Sequence, residues 1–245
     1  MQKYERISIK LAFYILFNAI YSLFLIKSRN FVSDKVFKPI NDMTTLYLVR
    51  HGETVDNAAQ ILQGQTPGKL NEKGIQQAEE VARKMANNHI DVFVASDLWR
   101  SIQTCEIIAR PHLLGADGLP LSDKPLSDGQ TPLSGGNTPL SDEQIEKYIV
   151  TTPLLRERDW GDFTGKFIPS LPKNPKDWPS NIEGLEKMKS RAQNFLTWLK
   201  VTYPGKTILA VGHGIINKAV QSVYYKRPMN EIEKMTNAEV RVLVL

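Results

Sequence analysis

Apolar runs of strand length alternate with helix-patterned segments along most of the chain. Several of the strand-like runs are apolar throughout, which is typical of strands buried on both faces. This alternation predicts an α/β fold with a mostly parallel sheet and helices on both faces. The predicted strands are TLYLV (45–49), DVFVAS (91–96), KYIVTTPLL (147–155), KTILAVG (206–212) and EVRVLVL (239–245).

Four segments between these strands carry apolar residues at helical spacing and are predicted to be helices. They are 71–88, 96–110, 184–203 and 215–225. Asn71 is the predicted N-cap of the first helix. The second is predicted to begin behind Ser96 or Asp97 and to end before Pro111. In the third, Leu185 is predicted to be the first residue of the buried face.

One segment breaks the alternation. Residues 115–142 are rich in Pro, Gly, Ser and Asp, and Pro-Leu-Ser recurs four times within them. Such a composition cannot bury a core, and the copies are too short for a repeat protein. We interpret this segment as a low-complexity surface insertion in a domain that spans residues 43–245, with a partner-docking loop as the alternative.

Residues 1–42 differ from the rest of the chain in charge. They contain seven Lys or Arg and three Asp or Glu, and so carry +4 of the net +5. The remainder is nearly neutral, which argues against a nucleic-acid partner. The uncharged run 11–26 is slightly shorter than the about 17 residues that a membrane span needs. Three interpretations stay open: a membrane anchor, a dispensable extension upstream of Met43, and a cleaved signal peptide, although no typical cleavage site follows.

Two of the four histidines directly follow predicted strands, and each is followed by glycine. His51 stands in LYLVRHG and His213 in ILAVGHG. Ligands of open α/β sheets bind beyond the carboxyl ends of the strands, so both imidazoles are predicted to reach that crevice. Arg50 precedes His51, and Arg100 lies in the first turn of the helix after the second strand. Because arginine matches phosphate oxygens with a planar fork of donors, this set predicts a pocket for a phosphoryl group.

Phosphoryl transfer in such a pocket needs a nucleophile and an acid. Neutral imidazole is available near pH 7 and can form a covalent phosphoryl intermediate. A departing alkoxide needs a proton, and the segment LLRERDWGDFTG offers Glu157, Asp159 and Asp162. Glu157 comes closest to the end of the predicted strand, so we favour it as the general acid.

The motifs at these positions resemble those of the histidine phosphatase superfamily in order and spacing. They are LVRHGET (48–54), SDLWRSIQT (96–104), LLRERDWG (154–161) and AVGHG (210–214). The resemblance covers about residues 45–245 without the insertion and implies a phosphoglycerate-mutase-like fold. It implies that His51 is the phosphorylated nucleophile and Glu157 the proton donor, with His213 as a further catalytic residue that holds the phosphoryl group. The implied substrate-binding residues are Arg50, Asn57, Gln63, Gly64 and Arg100.

Three departures from the family pattern bear on the site. Ile215 stands where many members have a second glycine, and we expect it to narrow the floor of the pocket. The loop after Gly64 reads TPGKL and lacks the aspartate that is frequent there. The last motif has His213-Gly214 in place of the His-Asp of the acid-phosphatase branch, which leaves the acid role to Glu157.

The resemblance leaves hydrolase and mutase to be distinguished. Only 56 positions separate Glu157 from His213, and this compact interval favours a phosphomonoesterase acting on a small phosphorylated metabolite. Phosphoglycerate-mutase-type transfer is the alternative, and a non-catalytic phosphate-binding module is the second. We predict no metal and no cofactor, because arginines would supply the charge stabilisation. The expected partner is a small-molecule phosphate ester; the sequence indicates neither the natural substrate nor an oligomeric state.

The single cysteine, Cys105, excludes an intrachain disulfide, and nothing in the sequence indicates a disulfide-built secreted fold. It lies on the predicted apolar stripe of a helix and is interpreted as a small core residue. We therefore expect a cytoplasmic catalytic domain. Under the anchor interpretation, residues 11–26 would add membrane contact.

Overall fold

The structure is a computed structural model that describes residues 43–114 and 145–245. The apolar run 11–26 and the insertion 115–142 lie outside the described residues, so the predictions made for both stay predictions. Within the two described ranges, no helix combines the length and the apolar character that a membrane span requires.

A five-stranded sheet forms the centre of the described domain. Its strands are β1 (Thr45–Arg50), β2 (Val92–Ser96), β3 (Ile149–Thr152), β4 (Thr207–Gly212) and β5 (Val240–Val244). Their order is β3-β2-β4-β1-β5; the first four are parallel, and β5 runs antiparallel to β1. The predicted α/β fold with a mostly parallel sheet is confirmed.

Helices pack on both faces of this sheet. A short helix, α1 (Val55–Ala58), follows β1 and buries no residue. The longer helices of the described ranges, which cover the sheet, are α2 (Glu72–Met85), α3 (Trp99–Leu113), α4 (Leu185–Thr202) and α5 (Gly214–Tyr225). Along β4, Leu209 and Val211 pack in one core with α2 and α3, whereas Ile208 and Ala210 pack in the other with α4 and α5. This alternation explains why β4 is apolar at every position between Thr207 and Gly212.

The ends of two helices differ from their predicted form. Asn71 caps α2 as predicted, because its side chain accepts a hydrogen bond from the Gly74 amide. Helix α3 begins later than expected, and it continues through Pro111 to Leu113. Proline lacks an amide donor and normally ends a helix. Here the last turn is stabilised because Leu113 and His112 are both buried.

The predicted buried face of α3 is confirmed, whereas that of α4 begins later than predicted. The apolar stripe of α3 is buried as expected, and Cys105 is fully enclosed in it. Leu185, predicted to begin the buried face of α4, is 45% exposed. It is the first residue of that helix, and the face that contacts the sheet begins one turn later, at Met188.

Strand pairing brings the site residues to one edge of the sheet. Arg50, the last residue of β1, is the register partner of Gly212, the last residue of β4. The His51 amide continues this ladder by donating to the Gly212 carbonyl at 3.0 Å. Because β5 is antiparallel and Val240 pairs with Val49, the chain that enters β5 must also pass this edge.

Candidate active site

The two histidines at the strand ends meet as predicted. His51 is 3% exposed and His213 is fully buried, and their ring centroids lie 5.0 Å apart. His51 Nδ1 lies 2.7 Å from the Gly52 carbonyl oxygen. A carbonyl can only accept, so Nδ1 carries the proton and Nε2 keeps its lone pair.

The surroundings keep His51 neutral. Burial lowers its pKa well below the usual value of 6.5, and the positive charges of Arg100 and Arg50 lower it further. A neutral imidazole with one fixed tautomer is the form that can attack an electrophile. The geometry therefore presents His51 Nε2 as a nucleophilic atom near pH 7.

His213 is held from two sides. The Arg100 Nε–H donates to His213 Nδ1 at 3.1 Å, so the proton of the neutral ring is on Nε2, which lies 3.2 Å from Ser101 Oγ. Burial, followed by the charge of Arg100 and the neighbouring His51, lowers the pKa of His213 well below 6.5. Ser101 has a role here that the sequence did not indicate, although it directly follows Arg100 in α3.

Arg50 has one donor without a partner among the residues that the structure describes. Its Nη1 donates to the Met235 carbonyl at 2.8 Å, whereas its buried Nε finds no hydrogen-bond acceptor in the described chain. Burial lowers the pKa of Arg50, partly opposed by the Glu157 carboxylate. Buried donors are almost always paired, so this N–H beside a cavity fits an anion oxygen.

Arg100 lies in the same place but directs its donors elsewhere. It is 1% exposed, and besides His213 its guanidinium donates to the carbonyls of Gly64, Thr66 and Pro67. Burial lowers its pKa to about 10, so it stays charged at neutral pH. One Nη2 hydrogen is left over. Phosphate binding by Arg100 stays a prediction. Arg100 would donate either this remaining hydrogen or one that now bonds to a loop carbonyl.

Of the three candidate acids, Glu157 is the one that borders the cavity. Its carboxylate accepts from the Ile215 amide at 3.1 and 3.2 Å and from the Arg158 amide at 2.8 Å. The first turn of α5 therefore fixes this side chain, which is a favourable place for a carboxylate. Asp159 and Asp162 instead bond to Gly161 and Asn181, away from the cavity.

The segment around Glu157 is tied down by Arg191 of α4. Arg191 donates to the carbonyls of Leu154 and Arg156 at 3.0 and 2.7 Å and pairs with the nearly buried Glu183 at 2.9 Å. A planar guanidinium that bonds several groups at once restricts their relative movement. Glu157 is thus positioned through its backbone as well as its carboxylate.

Two predicted residues of the loop after β1, Asn57 and Gln63, form a hydrogen-bonded group with Asp56. Asn57 Nδ2 donates to Gln63 Oε1 at 3.3 Å, and Gln63 Nε2 donates to Asp56 at 2.9 Å. Gly64 has a positive φ of 53°, and a β-carbon there would lie 2.8 Å from Thr164 Oγ1. Glycine is therefore favoured on both conformational and steric grounds.

These residues line an open cavity with a volume of about 110 Å³, which is room for a small group such as a phosphoryl group. Every predicted site residue borders it except His213, which lies behind His51 and Arg100. Ile215 borders the cavity, and its amide donates to Glu157; that its side chain narrows the floor of the pocket stays a prediction. The lining residues are Arg50, His51, Asn57, Ile61, Leu62, Gln63, Gly64, Arg100, Glu157, Trp160, Ile168, Gly214, Ile215 and Lys234.

The loop that enters β5, residues 226–239, supplies site residues that the sequence did not indicate. Lys234 lines the cavity, and the Met235 carbonyl holds Arg50. Asn237 Nδ2 donates to the His51 carbonyl at 3.1 Å and to Asn57 Oδ1 at 3.3 Å. The antiparallel direction of β5 brings this loop to the carboxyl end of β1, and the sequence carries no signal for that direction.

No group of three or more His, Cys, Asp or Glu in 43–114 and 145–245 is arranged to hold a metal ion. The charged side chains that line the cavity are three cations, Arg50, Arg100 and Lys234, and one carboxylate, Glu157. Metal-independent chemistry stays a prediction.

Comparison with known proteins identifies relatives of this chain. The sequence profile of the histidine phosphatase superfamily (branch 1) matches residues 46–119 and 140–245. A protein named uncharacterized phosphatase PhoE from Bacillus subtilis (strain 168) is 31% identical over 176 residues, which cover 70% of this chain and 72% of that protein. A probable phosphoglycerate mutase GpmB from Yersinia pestis (strain Pestoides F) is 35% identical over 136 residues, covering 56% of this chain and about half, 48%, of the relative.

Solved structures share the fold. A mycobacterial glucosyl-3-phosphoglycerate phosphatase in complex with VO3 aligns with a TM-score of 0.60 at 20% identity, covering 81% of this chain and 90% of its own. Phosphoserine phosphatase from Entamoeba histolytica, in complex with 3-phosphoglyceric acid, aligns with a TM-score of 0.60 at 22% identity, covering 81% and 89%. On the evidence of the profile match, with the PhoE relative and the shared fold in agreement, this chain belongs to the histidine phosphatase superfamily, branch 1.

Proposed function

We propose that this protein is a phosphomonoesterase that hydrolyses a small phosphate ester through a phosphohistidine at His51. The observation that carries the proposal is the state of His51. Its Nδ1–H is held by the Gly52 carbonyl, its pKa is lowered by burial and by two arginines, and Arg50 offers an unpaired buried donor at the same cavity. A neutral nucleophile thus stands beside a donor suited to a phosphoryl oxygen.

In the first step, the Nε2 lone pair of His51 forms a bond to phosphorus while the bond from phosphorus to the alcohol oxygen breaks. Glu157, in its carboxylic acid form, gives its proton to that oxygen, and the alcohol leaves. Arg50 and Arg100 stabilise the negative charge on the remaining phosphoryl oxygens. Nδ1 of His51 keeps its proton throughout, because the Gly52 carbonyl holds it.

In the second step, a water molecule attacks phosphorus from the side that the alcohol has left. The Glu157 carboxylate takes a proton from this water, the bond from phosphorus to Nε2 breaks, and inorganic phosphate is released. Both side chains return to their initial forms. His213 supports the cycle by fixing Arg100, whose Nε–H it accepts.

Two observations favour hydrolysis over mutase chemistry. The cavity is open, and the interval between Glu157 and His213 is compact, so water can reach the phosphoenzyme. The relative named a phosphatase also matches over 72% of its length, whereas the probable phosphoglycerate mutase matches over 48%. Phosphoglycerate-mutase-type transfer is the second candidate, favoured by the name of that second relative.

The first experiment measures phosphate release by the full-length protein from para-nitrophenyl phosphate and a panel of sugar, glycerate and nucleotide monophosphates, with and without EDTA. We expect turnover that EDTA does not abolish. His51→Ala should remove turnover and covalent labelling by phosphate together, whereas His89→Ala, which alters an exposed histidine, should retain both. Labelling that survives in His51→Ala would refute the assignment of the nucleophile.

The same preparations separate the alternatives. Interconversion of 2- and 3-phosphoglycerate without phosphate release would establish the mutase. Phosphate binding by calorimetry without turnover of any ester would support the non-catalytic binding module. A phosphoenzyme that is stable in base and labile in acid, as a phosphoramidate is, would support the proposed intermediate.

A further inference from the structure

Lys234 is a cation of the cavity for which the proposed reaction has no use. It comes from the loop 226–239 and borders the cavity. It makes no ion pair and donates no hydrogen bond to any residue of the described ranges, although Glu157 shares the cavity with it. Lys234 is an exposed residue and therefore lies at the rim of the cavity. Partial burial and the nearby charge of Arg50 lower the pKa of Lys234.

The side chain of Lys234 passes close to Gly214, at the start of α5. A β-carbon added to Gly214 would lie 3.1 Å from Lys234 Cε, 3.6 Å from Glu157 Oε2 and 3.6 Å from Arg50 Nε. The lysine side chain therefore passes over the beginning of α5, near both the Glu157 carboxylate and the Arg50 guanidinium. Glycine keeps this approach open, since a larger side chain would displace the lysine.

This step rests on the proposed function, in which the position of Glu157 shows where the alcohol part of the substrate lies. Glu157 gives a proton to the alcohol oxygen, so the leaving alcohol must be next to it. Two deeply buried atoms are left for the phosphoryl group: the nucleophilic His51 Nε2 for phosphorus and the donor Arg50 Nε for its oxygens. Lys234, an exposed cation that also approaches Glu157, consequently faces the organic part of the substrate.

We propose that Lys234 binds a second anionic group carried by the alcohol part of the substrate, and so selects esters that bear a carboxylate or a further phosphate close to the phosphate that is removed. The unpaired ammonium supplies the charge, and its place beside Glu157 supplies the direction. A charged hydrogen bond from lysine to such a group replaces the partner that the protein does not provide.

The test uses phosphonates, which bind like phosphate esters but have no cleavable bond to oxygen. Phosphonoacetate carries a carboxylate, methylenediphosphonate carries a second phosphonate, and 2-hydroxyethylphosphonate is of similar size without a second charge. Their dissociation constants are measured by calorimetry with the full-length protein. We expect the two doubly functional ligands to bind at least about 10-fold tighter than 2-hydroxyethylphosphonate, as a hydrogen bond between charged groups gives.

Variants assign this preference to one residue. Lys234→Met should reduce the preference to about 2-fold or less, and Lys234→Arg should retain most of it. Lys218→Met is the matched control, because Lys218 is close enough to act on Lys234 electrostatically but does not border the cavity. It removes the same charge and should leave the preference in place. The relative size of the gain for phosphonoacetate and for methylenediphosphonate shows which anion Lys234 accommodates better.

Two outcomes would overturn the inference. If Lys234→Met weakens all three ligands equally, Lys234 contacts the phosphoryl group itself; if it changes none of them, the ammonium is solvated and selects nothing. Because binding is measured without turnover, a protein that hydrolyses no ester but shows the Lys234-dependent preference would refute the proposed hydrolysis alone. A protein that hydrolyses esters without this preference would refute the role of Lys234 alone.

Discussion

The ends of β1 and β4 and the loop 226–239 meet at one cavity but are fixed in different ways. The strand ends are fixed by the parallel ladder, in which Arg50 pairs with Gly212, and their histidines are almost fully buried. The loop is attached outside the ladder, by Met229, Met235 and Ala238, which are buried in the two cores, and by hydrogen bonds such as that from the Ala238 amide to the Arg50 carbonyl at 3.0 Å. We call the ends of β1 and β4, with His51 and His213, the rigid centre, and the loop 226–239 the attached rim. The difference indicates that the rigid centre has one fixed arrangement, whereas the attached rim can vary in the side chain that it presents to the cavity.

The largest expected effect comes from breaking the rigid centre. In Gly52→Ala the new methyl group would collide with the backbone carbonyl of Gly74 in α2, and neither backbone can move without displacing the other element. We expect turnover to fall to background and the free energy of unfolding to fall by about 1–3 kcal/mol or more, as for other overpacked sites. Urea denaturation and phosphate release measure both.

Gly184→Ala is the control for this substitution. A methyl group there has no neighbour within 4 Å, and φ is −70°, so the change in stability should stay within about 0.5 kcal/mol. If Gly52→Ala keeps more than half of the turnover, the strand end is less constrained than the ladder and the close approach to Gly74 imply.

The second effect concerns Glu157, which comes from a loop but is fixed by the rigid centre through the Ile215 amide. Glu157→Gln keeps the shape and removes the proton. We expect the rate on alkyl phosphates to fall by about 10²–10⁴-fold, and the rate on para-nitrophenyl phosphate to fall much less, because its leaving group needs no proton. Asp159→Asn and Asp162→Asn, which alter the rival acids, should each change both rates less than 3-fold, within about 0.7 kcal/mol. An equal fall for both substrates would contradict the acid role.

The third effect is a loss of stability at low pH, which arises because His51 and His213 are buried in their neutral forms. His51 and His213 have folded-state pKa values below 6.5, mainly because of burial. As the pH falls below about 6.5, the unfolded chain binds protons that the folded chain refuses, so the free energy of unfolding decreases; above this pH the two histidines contribute no pH dependence. Each can add a slope of up to about 1.4 kcal/mol per pH unit.

Urea denaturation between pH 5 and 8 measures this slope. His51→Ala and His213→Ala should each flatten it below pH 6.5, whatever their effect on stability at pH 8. His89→Ala is the control, since His89 is exposed beside Asp91, and the slope should not flatten. An unchanged slope in both site variants would mean that these histidines take up protons in the folded protein.

The same contrast explains how much of the site the sequence could predict. His51 and His213 were predictable because each follows an apolar strand, and parallel strands bring their carboxyl ends to one edge. Glu157 was predictable as the acid nearest to a strand end, but its fixation by Ile215 and Arg191 depends on contacts between elements distant in the sequence. The sequence contained no comparable signal for the antiparallel direction of β5, the last strand.

The loop 226–239 therefore went unnoticed. Its polar residues have no helical or strand periodicity, and a loop gains meaning only from the place to which it returns. Pro111 was misread for a related reason: a local rule ends the helix there, whereas tertiary burial of Leu113 extends it. Local pattern thus predicts the rigid centre well and the attached rim poorly.

The smallest effect tests the attachment of the rim directly. Asn237→Ala removes the donor to the His51 carbonyl and to Asn57. We expect about 1 kcal/mol less stability, the usual net value of such hydrogen bonds, and a few-fold lower turnover, because the loop would hold Arg50 and Lys234 less firmly. Asn230→Ala, at an exposed position of the same loop, should change neither quantity. If Asn237→Ala lowers turnover as far as Glu157→Gln does, the loop belongs to the rigid centre, and the distinction drawn between the two regions is wrong.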